Sequence, residues 1–159
     1  MFQICEPLLS RTLKIAEDSV ESGNHPFGAL IALNGEIVLE AENRVITDQD
    51  ATAHAELRAL RAMVPTLTAM GISHRKSELT LYASTEPCVM CLGALYWAGI
   101  KHVVFACSQK RMTAYTTGSF VVPADQITSH MRNPPQIEGP FLEEQAAQLH
   151  AKYWNRRSP

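Results

Sequence analysis

Charge and long apolar runs are both scarce in this chain. Charged residues make up 19% of it, and 16 acidic side chains against 14 basic ones leave a formal net charge of −2. Such a balance offers no overall attraction to a phosphate backbone. The local basic pairs Arg75-Lys76, Lys110-Arg111 and Arg156-Arg157 read as solvated surface unless the fold gathers them into a patch. No apolar stretch approaches the ~18 residues of a membrane span. Residues 1–6 hold neither the basic nor the apolar segment of a signal peptide, so a cytoplasmic protein with no membrane partner is expected. Cysteine is limited to four residues, which in an unsecreted chain argues against a disulfide framework. Cys5 and Cys107 read as free thiols, Cys107 as a small buried hydrophobe.

What is present suits a globular fold. With 159 residues and 46% hydrophobic content, the chain is expected to form a single domain, 1–159, with a continuous core. There are no internal repeats and no linker-like tracts. Helical spacing of Leu9, Leu13, Ala16 and Val20 predicts a helix over 6–22, ended by Gly23-Asn24. Two strands, 27–33 and 36–42, flank Asn34-Gly35, a strong hairpin signal. A second helix is expected from His54, ended or kinked by Pro65. Alternation predicts a third strand over 79–84. A third helix over 88–98 follows, opened by Pro87 and stopped by Gly99. A fourth strand over 101–107 completes a strand–helix–strand crossover, which makes strands three and four parallel. A short helix over 124–131, a fifth strand near 136–138 and a last helix over 141–154, with Leu142, Ala146, Leu149 and Tyr153 on one stripe, finish the chain. The expected class is α/β, a mixed sheet with helices on both faces.

The chemistry concentrates in two short stretches. One is Thr52-Ala53-His54-Ala55-Glu56; the other is Glu86-Pro87-Cys88-Val89-Met90-Cys91. Positions i and i+3 of a helix share a face, so Cys88 and Cys91 point together. The positive end of the helix dipole favours their thiolates. Two thiolates with tetrahedral preference suit Zn²⁺, one per subunit, and His54 is the natural third ligand. Three protein ligands leave the fourth position for water, the arrangement of a catalytic site. Glu56, two residues from His54, fits an acid–base group beside that water. The competing readings are a redox Cys-x-x-Cys, which lacks its usual context, and a closed structural site with His102 or Cys107 as fourth ligand. The closed site would make the protein a zinc-stabilised scaffold with no activity.

His-x-Glu followed by Pro-Cys-x-x-Cys resembles the cytidine/deoxycytidylate deaminase superfamily. Within it, His54-Ala55-Glu56 and Glu86-Pro87-Cys88-Val89-Met90-Cys91 resemble the purine-acting branch, which holds bacterial guanine deaminases and, more distantly, tRNA adenosine deaminases. The resemblance implies a three-layer α/β/α fold around a five-stranded mixed sheet. It also implies hydrolytic deamination of a free purine base, guanine first, or of a related amino-heterocycle or nucleoside, with release of ammonia. A tRNA adenosine deaminase is the alternative. His54, Cys88 and Cys91 match the zinc ligands, and Glu56 matches the proton carrier. Asn43 matches an asparagine that binds the base edge; by itself it also reads as a turn residue. Phe27 matches an aromatic that packs on the base in guanine deaminases, and equally suits a core strand. Trp97, in a helix similar to that of guanine deaminases, is a third substrate contact, or else core or subunit interface. The apolar character of that helix on all sides, with the oligomeric habit of the superfamily, implies a homodimer. The loop 108–117 lacks the carboxylate that guanine deaminases carry there.

Overall fold

Three strands are apolar at nearly every position, and this dictates the layering. β1 (Gly28–Leu33), β3 (Leu79–Thr85) and β4 (His102–Cys107) are buried along almost their whole length. Strands of that kind need cover on both faces. Alternation sends Leu30, Ala32, Tyr82, Val104 and Ala106 into one core and Ile31, Leu81, Ala83, Val103 and Phe105 into the other. α1 (Glu6–Glu21) and α6 (Glu143–Trp154) cover the first core through Leu8, Leu9, Ile15, Ala146 and Ala147. α2 (Ala55–Ala69) and α3 (Val89–Ala98) cover the second through Ala59, Met63, Leu67 and Leu95. The result is a three-layer α/β/α fold. This computed structural model describes residues 4–72, 78–116 and 120–155. The basic pairs Arg75-Lys76 and Arg156-Arg157, the first three residues and position 117 of the loop after β4 lie outside the described residues.

The sheet order is β2-β1-β3-β4-β5, with β2 (Glu36–Glu42) and β5 (Gln136–Glu138) at the edges. β1 is antiparallel to β2 and to β3, whereas β3, β4 and β5 are parallel, so the expected crossover is present. Asn34 and Gly35 take φ of 52° and 83°, the two positive values that a type I′ hairpin turn requires.

Several expectations need correction. Pro65 does not end α2, which continues to Ala69. Pro65 and Arg61 both lie on the exposed side, so the carbonyl deprived of its N–H partner faces water. α3 begins at Val89 with Cys88 as its N-cap, so Pro87 precedes the helix and is not in its first turn. α6 turns Ala146, Ala147, His150 and Tyr153 inward, and Leu149 is only partly buried. α5 (Ala124–Thr128) is shorter than expected, and a short α4 (Gln109–Met112) follows β4. No helix among the described residues is long and apolar enough to cross a membrane.

One edge of the sheet collects the chemistry. Because β1 runs against β3, its first residues meet the carboxyl ends of β3 and β4. At Gly28 the backbone of α1 presses close: a Cβ there would lie 2.5 Å from the Thr12 carbonyl oxygen and 2.7 Å from the Ala16 nitrogen. The Gly28 N–H donates to Ser84 Oγ at 3.0 Å. This contact sets the neighbouring Phe27 at the same edge as Thr85.

Candidate metal centre

Two helices on one face of the sheet begin at the same place. His54 is the N-cap of α2 and Cys88 the N-cap of α3, both in extended backbone, with Cys91 in the first turn of α3. His54 Nδ1 lies 3.7 Å from Cys88 Sγ and 3.5 Å from Cys91 Sγ. All three ligand atoms fall within 4.8 Å of one another. A tetrahedral zinc with ordinary metal–sulfur and metal–nitrogen bonds sets its sulfur and nitrogen donors about 3.6 Å apart. The donor spacing therefore fits one such ion. Neither His102 nor Cys107 belongs to the cluster, so among the described residues there is no fourth protein ligand to close it.

The electrostatics suit a cation. Cys88 is held down to about 4, chiefly by the hydrogen bond from the Cys91 thiol and further by His54. Cys91 is pushed strongly up by that same bond and by its burial. The pair thus shares one proton, and a divalent ion is what would release it. The hydrogen bond with Cys88 raises His54. Glu56, in the first turn of α2, is 8% exposed. Burial raises its carboxyl above the usual range, while His54 draws it back. Both helix N-termini add positive potential at the site.

These groups open onto a cleft of about 310 Å³. Its walls bring His54, Glu56 and Cys88 together with Phe27, Thr85, Met112 and Phe120. Phe27 is among the residues that line the cleft. Asn43 is buried and does not line the cleft. It performs the turn role: its side-chain oxygen accepts from the Val45 N–H at 3.1 Å, and its own N–H donates to the Phe27 carbonyl at 3.0 Å. Trp97 is 84% exposed on the far end of α3 and takes no part in the cleft of its own chain.

Other residues of the site carry weak signals in sequence. Glu86 was visible only as a letter of the motif. Its carboxylate accepts from the Gln109 N–H at 2.9 Å and the Ala124 N–H at 2.8 Å, tying α4 and α5 to the metal helix. Gln109 in turn donates through Nε2 to the Pro87 carbonyl at 2.9 Å. The loop after β4 finds its carboxylates on α6: Ser108 donates to Glu143 and Arg111 pairs with Glu144. The Thr85 hydroxyl and His150, which sits behind it, had no signal beyond residue type.

Three relatives place the chain. It is 33% identical over 153 residues to a probable cytosine deaminase of Schizosaccharomyces pombe, covering 92% of this chain and 90% of that one. It is 43% identical over 102 residues to the guanine deaminase of Bacillus subtilis, covering 64% of this chain and 63% of that protein. The solved structure of that enzyme superposes with a TM-score of 0.61 at 30% identity, over 97% of this chain and 95% of that one. It is 38% identical over 98 residues to a tRNA-specific adenosine deaminase of Buchnera aphidicola, covering 62% of each chain. The chain thus spans less than two thirds of the length of the latter two in their sequence matches. The family described as the cytidine and deoxycytidylate deaminase zinc-binding region matches residues 3–107. That match spans β1 to β4 and every ligand of the cluster, and the chain belongs to this family.

Proposed function

We propose that the protein is a zinc-dependent hydrolase that deaminates a purine base such as guanine, with one zinc per subunit held by His54, Cys88 and Cys91. The observation that carries this reading is the open three-ligand cluster with the buried Glu56 beside it, at the floor of a base-sized cleft. The volume of that cleft is at the lower end for small-molecule sites, which suits a single heterocycle. Phe27 offers an aromatic face to it.

The chemistry divides simply. A zinc held by His54, Cys88 and Cys91 would supply a water activated at neutral pH. Glu56 accepts a proton from that water and passes it to a ring nitrogen of the base. Oxygen adds to the amino-bearing carbon. Glu56 then carries the second proton of the water to the amino group, and the carbon–nitrogen bond breaks to release ammonia, leaving a carbonyl. The desolvated setting of Glu56 favours such transfers, because its protonated form is not penalised.

Cytosine is the second reading, favoured by the end-to-end match to the probable cytosine deaminase. The match to guanine deaminase is shorter but denser in identity. An ammonia-release screen over guanine, cytosine, isocytosine, adenine and their nucleosides decides between them. Turnover of guanine above the rest is expected; turnover confined to cytosine would replace the first reading by the second, and inosine formed in tRNA alone would replace both. The exposed Trp97 on an apolar helix supports a homodimer. Sedimentation at micromolar concentration tests this, and a monomer there would refute it.

A further inference from the structure

Behind the wall opposite the metal cluster lies a buried histidine that the proposed chemistry leaves unused. His150 of α6 is 1% exposed. Its ring lies 5.4 Å from that of Phe27, tilted by 54°. Its Nε2 is 2.8 Å from Thr85 Oγ1. Its Nδ1 accepts a hydrogen bond from the Trp154 indole N–H at 3.3 Å, one helical turn further on.

The protonation pattern follows from these contacts. An indole N–H only donates, so Nδ1 of His150 carries no proton. A neutral imidazole then has its single proton on Nε2. Burial pushes His150 down to about 4, which keeps the ring neutral near pH 7. Nε2–H must therefore donate to Thr85 Oγ1. The hydroxyl hydrogen of Thr85 is left to donate elsewhere, and among the described residues Oγ1 has no second partner. Thr85 itself lines the cleft beside His54 and Glu56.

We propose that Trp154, His150 and Thr85 form a directional hydrogen-bond chain that fixes the Thr85 hydroxyl as a donor into the cleft. The substrate is then a base whose edge presents an unprotonated acceptor to Thr85, a carbonyl oxygen or a pyridine-type ring nitrogen. The Nε2–H engages one of the two lone pairs of Oγ1, and the hydroxyl's single hydrogen, with no other acceptor among the described residues, is met by an acceptor on the base. A base offering an N–H at this point could still be accepted by the second lone pair of Oγ1 but would leave the Thr85 O–H without an acceptor, and an unpaired buried donor is costly. Thr85 is the contact, and His150 and Trp154 act through it as positioning residues. The substrate half of the proposal rests on the deaminase reading, whereas the polarity of the chain does not.

The experiment has two arms. Nitrogen NMR of histidine-labelled protein, with His150 assigned by its loss in His150→Gln, reads the tautomer without any substrate. The Nε2–H tautomer is expected at neutral pH, and Trp154→Phe should yield a mixture of tautomers. An Nδ1–H tautomer or an imidazolium in the wild-type protein overturns the chain. In the second arm, Thr85→Val, close in shape, is expected to lower kcat/KM about tenfold or more with zinc content unchanged. Thr85→Ser should restore most of it. Wild-type kcat/KM in Thr85→Val overturns the donor role while leaving the deaminase reading intact. Absence of any base turnover by the wild-type protein sinks the deaminase reading alone, since the tautomer is measured apart from it.

Discussion

The two walls of the cleft are built by different rules. One wall holds His54, Glu56 and Cys88, with Cys91 buried behind them, all within the first turn or cap of α2 and α3. Helix geometry places each pair, and the two helices need only start at the same point. The other wall joins Phe27, just before β1, and Thr85 from the end of β3, with His150 from α6 behind them. No local rule relates these residues. Sheet register and the docking of α6 bring them together. The contrast indicates that the reaction type resides in short-range geometry and the choice of base in long-range packing.

Replacing Cys91 by serine attacks the first wall most severely. It removes a soft ligand from a three-ligand site, so loss of bound zinc by elemental analysis and loss of all ammonia release are expected. Full zinc occupancy in that variant would break the assignment. Glu56→Gln is the finer cut. Zinc should remain, while turnover falls by about 10²–10⁴-fold; undiminished turnover would remove Glu56 from the chemistry.

The second wall should respond in stability and its pH dependence. His150 is depressed to about 4 in the folded chain, against about 6.5 when unfolded. The unfolded chain therefore binds more protons between these values, and stability rises with pH across that window. The contribution is fully present above about pH 6.5 and is lost as pH falls toward 4, a total of about 3 kcal/mol. Urea unfolding of wild type and His150→Gln at both ends of the window measures it. The difference between the two proteins should shrink on the acid side, and a constant difference would contradict the burial argument. Gly28→Ala is expected to act more mildly, with a loss of about 1–3 kcal/mol from the clash with the α1 backbone. Its denaturation midpoint should drop with zinc retained, which would separate the two walls experimentally.

Legibility in the sequence followed the same division. The metal set was readable because ligands on helix caps keep fixed spacings, and the central strands were readable because two-sided burial makes them continuously apolar. Of the two outcomes expected at Pro65, an end to the helix did not occur, because the cost of a missing N–H falls when the freed carbonyl faces water. For Trp97 the sequence left substrate contact, core and subunit interface open. The face of α3 that bears Cys91, Leu92 and Leu95 is buried and the opposite end is not, a distinction that an apolar helix on all sides does not reveal. Asn43 carried both a turn signal and a base-binding resemblance, and its observed bonds serve the turn.

His150 marks the boundary most clearly. As a letter in an amphipathic helix it could face water, core or site, and the expected stripe through Leu149 left it out. Only the rotation of α6 against the sheet buries it behind Thr85. Composition and periodicity were enough for the main strands and helices, because those depend on interactions within a few residues, whereas the metal cluster was read from the His-x-Glu and Pro-Cys-x-x-Cys motifs, whose two halves meet only where α2 and α3 begin side by side. The wall built on Phe27 and Thr85 depends on elements separated by more than a hundred positions, from Phe27 to His150. Tertiary packing alone brings them into contact, because no spacing along the chain encodes the docking of one helix on a sheet.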